Sequence, residues 1–392
     1  MDGEKLSSKE RRDRIIVEVK TKESNELKDK KSKEWPKVAI IILNWNGWED
    51  TIECLESVFR ISYPNYQVIV VDNGSTDGST EKIKNWTNGK LEVLTPAPAH
   101  HLYHLSHPPV KKPIPYVYYT REEAEKGGNF TVEEKVTSPY PLIFIQADEN
   151  LGFAGGNNIG IKYTLCNKNI DYLLLLNNDI VVDKNFLSSL FLINENDKKI
   201  GIVGPKIYSY EKYPEMYSAG CTTELNILKK KFVSQRGRGE IDRGQYNTIE
   251  EAGYIEGCCL KVNCNILNVT GLMDERYFLY FEDLDWVLRI KQLGWKSVYI
   301  PKSIVWHKGS STMGQRNPSK TYYMTRNKLL LLQKIFKINF WVFLYPLLLG
   351  KAFITIFYLL FFKKKSNNKL VRVQALVNGH VDFVKRKFGI YK

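Results

Sequence analysis

Val38-Ala39-Ile40-Ile41-Ile42-Leu43 runs straight into Asn44-Trp45-Asn46-Gly47, and further on Gln67-Val68-Ile69-Val70-Val71 runs into Asp72-Asn73-Gly74-Ser75-Thr76-Asp77-Gly78. Each begins as a short, unbroken apolar run, the mark of a strand buried on both faces, and each ends in a polar turn with glycine. A helical pattern from about Trp48 to Phe59 separates them, and another follows from Ser79. Strand, turn, helix and strand at this pitch predict a parallel, doubly wound α/β sheet. Ligands bind such sheets outside the carboxyl ends of the strands, where both polar turns lie.

Working outward, the pattern breaks between Thr95 and Pro141 into a segment rich in proline and charge that holds His100, His101, His104 and His107. It reads as an exposed insertion with no assigned chemistry, because the prolines around the histidines and the missing second shell argue against a metal site. The sheet resumes at Leu142 to Gln146. Glu149-Asn150-Leu151-Gly152-Phe153-Ala154-Gly155-Gly156-Asn157-Asn158 then opens a helix whose glycines permit close backbone approach to a ligand. Tyr172 to Leu176 is the next buried strand and delivers Asn177-Asn178-Asp179 to the same edge.

The 392 residues predict one large α/β domain with additions, or two domains. Residues 1–36 mix charges with few apolar side chains and read as a flexible extension; 37–316 form the main domain, with its insertion at about 95–140; 317–392 form a helical, membrane-associated region. A net charge of +14 favours polyanionic partners: nucleic acid, an anionic membrane or phosphorylated substrates. The chain carries no helix-turn-helix, zinc-finger or RNA-binding signature, so no nucleic-acid partner is expected. The six cysteines lack C-x-x-C spacing and read as reduced thiols. No apolar run precedes Val38, so the main domain is expected to stay in the cytoplasm.

Breaking a sugar–phosphate bond leaves a diphosphate whose charge a divalent cation can neutralise, and this calls for hard oxygen ligands beside a phosphate-sized space. Asp179 offers one, although alone it reads equally as an Asx turn. Tyr280-Phe281-Glu282-Asp283-Leu284-Asp285-Trp286 sets three acids in an aromatic stretch that leads into a helix ending near Leu293-Gly294. Helix capping accounts for one or two of them and leaves another as a general base. Trp295 to Pro301 reads as a strand, followed by Val305-Trp306-His307; His307 with Asp179 and Asp283 would complete a mixed oxygen and imidazole site suited to Mg²⁺ or Mn²⁺.

In this order, the pieces Asn44-Trp45-Asn46, Val71 to Gly78, Glu149 to Asn158, Leu176 to Asp179, Phe281 to Asp285 and Trp306-His307 resemble the family 2 glycosyltransferases of the GT-A fold, particularly the rhamnosyltransferase-like branch. The resemblance spans about residues 38 to 312. It implies an inverting, metal-dependent transfer of one sugar from a nucleoside-diphosphate donor, dTDP-rhamnose or a UDP-sugar, to a glycan or lipid-linked acceptor. It implies that Asp72 meets the nucleobase, that Asn44 and Asn46 line the nucleoside pocket, and that Asn150 joins the donor site. Asn177 and Asp179 take the outer positions of the D-x-D motif, with Asn177 replacing its first aspartate. Asp179 and His307 are then metal ligands, and Asp283 is the base with Glu282 as the alternative. Arg236 and Arg238, in a segment that also resembles the branch, and Asp285 are candidate acceptor or phosphate contacts.

A nucleotidyltransferase would share the sheet and metal but needs a basic, glycine-rich triphosphate turn after its first strand, which Asn44-Trp45-Asn46-Gly47 does not supply. A non-catalytic carbohydrate-binding or scaffold protein has no use for Asp179, Asp283 and His307 together. Finally, Phe340 to Phe362 is about 23 mostly apolar residues, or about 34 Å of helix. Lys351 and Pro346 interrupt it, and Lys334, Lys337 and Lys363-Lys364-Lys365 flank it. Basic residues at both ends favour an interfacial or re-entrant hairpin over a span, on the cytoplasmic face of the membrane.

Overall fold

The computed structural model describes residues 35–93, 96–129, 131, 133, 142–167, 169–193, 199–223, 233–309, 317–361 and 369–391. The extension expected at 1–36 therefore lies almost wholly outside the described residues, as does the basic run at 363–365.

Strand β1 (Val38–Asn44) pairs in parallel with β2 (Tyr66–Asn73) on one side and β5 (Tyr172–Asn177) on the other. Beyond β2 come β4 (Leu142–Ala147) and β3 (Tyr116–Thr120), both parallel. Beyond β5, the antiparallel β12 (Cys259–Asn263) leads to β7 (Ile200–Ser209), which runs parallel to β13 (Lys296–His307). Short antiparallel pieces finish that side: β11 (Glu250–Ala252) and β6 (Ile180–Val182) on β13, and β8 (Met216–Ser218) on β7. β9 (Cys221–Thr223) and β10 (Val233–Gln235) form a separate ribbon. This is the mostly parallel α/β architecture expected from the sequence.

The two-residue period of a strand explains why β1 and β2 read as continuous apolar runs. Ala39, Ile41, Ile69 and Val71 face one core; Val38, Ile40, Ile42, Val68 and Val70 face the other. The second core takes Ile52, Leu55 and Val58 from α1 (Trp48–Val58) and Ile83 and Trp86 from α2 (Ser79–Thr87). The first takes Ile159 and Ile161 from α3 (Gly152–Cys166), Trp286 and Ile290 from α4 (Glu282–Gln292), and Leu329 to Leu332 from α5 (Pro318–Phe336). Burying one such side chain stabilises the fold by roughly 1.5–3 kcal/mol. α3 lies so close to the sheet that a Cβ on Gly160 would stand 2.7 Å from Ile41 Cγ2.

Three features differ from expectation. The 95–140 segment is not simply an exposed loop, because Tyr116–Thr120 adds the edge strand β3 to the sheet. His100 also stacks on Tyr210 at 4.5 Å, which pins the segment to the domain. β13 continues through Pro301, with a register shift between Ile300 and Ile304, so what reads as a strand and a separate apolar run is one bulged strand. Lastly, α7 (Lys369–Val384) packs on α5: Tyr322 donates to Asp382 at 2.8 Å, and Gly379 closes on Thr325. α6 (Tyr345–Phe361), reached through a π-helical turn at Phe340–Leu344, is left largely exposed.

Candidate active site

Parallel register sets the first part of the site. Asn44 stands opposite Asp72, and Asp72 opposite Gln146, so three polar side chains form a row across the carboxyl ends of β1, β2 and β4. Asn44 Nδ2 donates to Asp72 Oδ2 at 2.7 Å, while Gln146 Nε2 and the Ser75 amide donate to Asp72 Oδ1 at 2.8 and 3.0 Å. Thr51 donates to Asn44 Oδ1 at 2.8 Å. Asp72 and Asn44 are fully buried, and these bonds tie the ends of β1, β2 and β4 together. Exposed Asn46 lies on the open side, with φ +50°; its amide donates to Ser75 Oγ at 2.9 Å, and its Oδ1 accepts from the Thr76 amide at 2.7 Å. Trp45 beside it is 40% exposed, which leaves an aromatic face at the ligand edge.

Asn73 and Asn150 hold the glycine-rich turn. Asn73 Nδ2 donates to Asn150 Oδ1 at 3.0 Å and to the Gly152 carbonyl at 3.1 Å, and the Gly152 amide donates to Asn150 Oδ1 at 2.8 Å. Gly152 adopts φ +73°, and a Cβ there would lie 2.3 Å from the Phe278 carbonyl oxygen. Only glycine permits this approach. The Phe278 carbonyl also accepts from the Phe153 amide at 2.7 Å, which ties the glycine-rich turn to the loop before the acidic helix.

Asp179 and His307 come together because β6 pairs with the end of β13, with Ile180 opposite His307. Asp179 Oδ1 stands 3.2 Å from His307 Nε2, and both residues are buried. Neither carboxylate oxygen nor either ring nitrogen has a hydrogen-bond partner in aligned geometry. Burial pushes the Asp179 carboxyl up, but His307 and the neighbouring Lys308 outweigh it and hold the group below the usual carboxylate range. A buried, charged carboxylate with open lone pairs beside an imidazole fits a divalent cation. Lys308, which sequence reasoning missed, pairs with Asp50 and Glu53 of α1 at 2.5 Å each. Asn177 ends β5 with its amide donating to the Cys258 carbonyl, and Asn178 braces the first turn by donating to the Gly47 carbonyl at 3.2 Å and Thr51 Oγ1 at 3.1 Å.

The three acids of α4 have separate jobs. Asp283 is partly exposed; its Oδ2 accepts from the Tyr254 hydroxyl and, at 2.9 Å, from the Gly257 amide, while Oδ1 accepts from the Leu284 amide at 2.7 Å. Glu282 is buried with Oε2 unpartnered, and burial, then the Asp283 charge, push its carboxyl well up. Asp285 is buried: Tyr277 and Lys334 donate to Oδ1 at 3.1 and 2.6 Å, and Arg289 donates to Oδ2 at 2.9 Å. Those three partners occupy both oxygens and fasten α4 to α5.

The loop Tyr254–Cys258 joins the two groups: its Cys258 carbonyl accepts from the Asn177 amide at 2.8 Å and its Gly257 amide donates to Asp283 at 2.9 Å. It holds Glu256, a further carboxyl not singled out in the sequence. Glu256 Oε2 is shut off from solvent without a partner, and burial raises the group. Of the two arginines, Arg238 lies 3.9 Å over the Tyr217 ring, which itself meets the His307 ring edge-on at 4.4 Å. Arg236 faces elsewhere, pairing with Glu250 at 2.9 Å.

Residues 39–96 match the sequence profile of glycosyl transferase family 2. A low-salt glycan biosynthesis hexosyltransferase of Haloferax volcanii is 25% identical over 149 residues, covering 38% of this chain and 46% of that one. A dTDP-rhamnosyl transferase of Shigella flexneri is 27% identical over 53% of this chain and 68% of its own. An N-acetylglucosaminyl-diphospho-decaprenol L-rhamnosyltransferase of Mycobacterium tuberculosis is 40% identical over 67 residues, 17% of this chain and 22% of its own. The match thus spans less than half the length of the Haloferax protein.

Proposed function

From the match of residues 39–96 to glycosyl transferase family 2, we propose an inverting, metal-dependent glycosyltransferase that moves a single sugar from a nucleoside-diphosphate donor to a glycan or lipid-linked acceptor. The observation that carries this reading is the buried pair Asp179 and His307, 3.2 Å apart with no other hydrogen-bond partner, together with partly exposed Asp283 fastened to the Tyr254–Cys258 loop. Among the described residues, no group of three or more His, Cys, Asp or Glu side chains converges as a ligand cluster. Asp179 and His307 would therefore hold a Mg²⁺ or Mn²⁺ ion together with the donor diphosphate and water, and the ion supplies positive charge to the departing diphosphate. Trp45 and Asn46 offer an exposed rim for the nucleoside, and the Asn73–Asn150 network keeps the glycine-rich turn beside it.

In this reading Asp283 takes the proton of the acceptor hydroxyl as that oxygen attacks the anomeric carbon opposite the diphosphate. Tyr254 and Gly257 fix its rotamer, and its partial exposure leaves it within reach of an acceptor. Glu282 is the alternative base; its burial and raised carboxyl favour an orienting role beside Asp283. The name of the Shigella relative supports dTDP-rhamnose as donor, with a UDP-sugar as the alternative reading, and the name of the Mycobacterium relative supports rhamnose as the sugar and a lipid diphosphate as acceptor.

The acceptor class agrees with α6. Phe340–Phe361 is long and apolar enough to cross a membrane and is almost unburied, with Phe343, Phe353, Ile354, Phe357 and Phe361 exposed. We read it as a membrane-seated helix, interfacial or re-entrant, that keeps the active site near lipid-borne acceptors. Incubation with a panel of nucleotide sugars and a lipid-linked acceptor, with and without chelator, tests the function. Acceptor-dependent nucleoside-diphosphate release that chelator stops is expected, with inverted configuration in the product. No release from any donor, or a retained configuration, would overturn the reading.

A further inference from the structure

The loop that delivers the acids is strained. Phe278, Tyr280 and Phe281 have φ of +64°, +70° and +75°, conformations that aromatic residues rarely adopt. Such a loop keeps its shape only where its surroundings over-determine it. Two fully buried side chains of α5 do so. Asn327 Nδ2 donates to the carbonyls of Tyr277, Leu279 and Tyr280 at 2.8, 2.8 and 2.9 Å. Arg326 Nη2 donates to the carbonyls of Arg276 and Tyr277 at 3.0 and 2.8 Å, its Nη1 to the Gly389 carbonyl at 2.9 Å, and its Nε to Asn327 Oδ1 at 2.9 Å. The Nε bond orients the Asn327 amide so that its NH₂ faces the loop.

We propose that Arg326 and Asn327 are positioning residues that hold the 276–281 loop in its strained form and so set the placement of Asp283 at the start of α4. This rests on the reading of Asp283 as the base. The geometry favours positioning over general stability, because every loop carbonyl these two side chains engage lies within six residues of Glu282, and the same loop meets the glycine-rich turn through Phe278. Released from the clamp, the loop relaxes toward ordinary φ, and Asp283 loses its alignment with the proton of the acceptor hydroxyl. A misplacement of about 1 Å costs on the order of 10²-fold in rate.

The test uses the full chain, with the donor and acceptor that the panel identifies and the matching nucleoside diphosphate as binding probe. Asn327→Ala is expected to lower kcat by about 10²-fold while the nucleoside-diphosphate Kd stays within about twofold. Arg326→Lys, which removes the bond that orients the Asn327 amide but keeps the Asn327 side chain beside the loop, is expected to lower kcat less and carries the test if Asn327→Ala does not fold. In an Asp283→Asn background Asn327→Ala should cost little more, because the two act through one carboxylate. Full kcat in the folded clamp variants, or losses that multiply with that of Asp283→Asn, would overturn the proposal. Unimpaired transfer by Asp283→Asn itself would instead sink the assignment of the base.

Discussion

Asp179 and His307 lie 128 positions apart in the chain but 3.2 Å apart in space, each with open polar atoms. Asp179→Ala is expected to abolish turnover and metal-dependent nucleotide binding without unfolding the protein; calorimetry with Mg²⁺ or Mn²⁺ present reads this directly, and wild-type affinity would remove Asp179 from the site. Gly257 makes a second residue-scale test, because a Cβ there would stand 2.8 Å from Asp283 Cβ. Gly257→Ala should displace Asp283 and lower kcat by about tenfold or more with nucleotide affinity unchanged. Strand-end motifs made Asp179, His307 and the acid cluster legible in the sequence. Gln146, Lys308, Tyr254 and Glu256 were not legible, because their roles arise from cross-strand register and loop packing that no local pattern encodes. The partners of Asp72 and Asp285 were equally illegible, because Gln146 and Lys334 reach them from other elements of the fold.

Among the elements, β1, β2, β4 and β5 were readable because a strand buried on both faces leaves an unbroken apolar signature. β3 was not, because an edge strand of five residues inside a proline-rich segment finds its partner β4 only across the intervening chain. α5 carries more of the site than its sequence suggests. Lys334 reaches Asp274 at 2.7 Å and Asp285 at 2.6 Å, joining this helix to both ends of the acidic loop. Burial pushes the Asp274 carboxyl up, but Arg276 and Lys334 outweigh it and hold the group well below the usual range. A carboxyl depressed in the folded state stabilises it above the unfolded value of about 3.9, and that contribution is lost as pH falls toward the folded value. Asp274→Asn should therefore lower Tm at pH 7, and the gap to wild type should close as pH drops below about 4. A Tm gap independent of pH would contradict the ion-pair account.

At the scale of the molecule, a parallel sheet with its chemistry at one edge is joined through α5 to α6 and α7. Because α7 packs on α5 through Tyr322 and Asp382, deleting residues 338–392 would damage the domain as well as any membrane contact. Substituting exposed positions separates the two. Phe353→Ser with Phe357→Ser should release the protein from vesicles containing anionic lipid and leave Tm within a few degrees. Unchanged vesicle binding would defeat the membrane-seated reading. Asp283 as proton acceptor is the centre of the proposed mechanism. The most direct measurement is the transfer rate of Asp283→Asn under saturating donor, compared with Glu282→Gln and with nucleoside-diphosphate affinity measured in parallel. The account predicts a loss on the order of 10²-fold or more in Asp283→Asn with that affinity preserved; near-normal transfer by Asp283→Asn beside an inactive Glu282→Gln would contradict it.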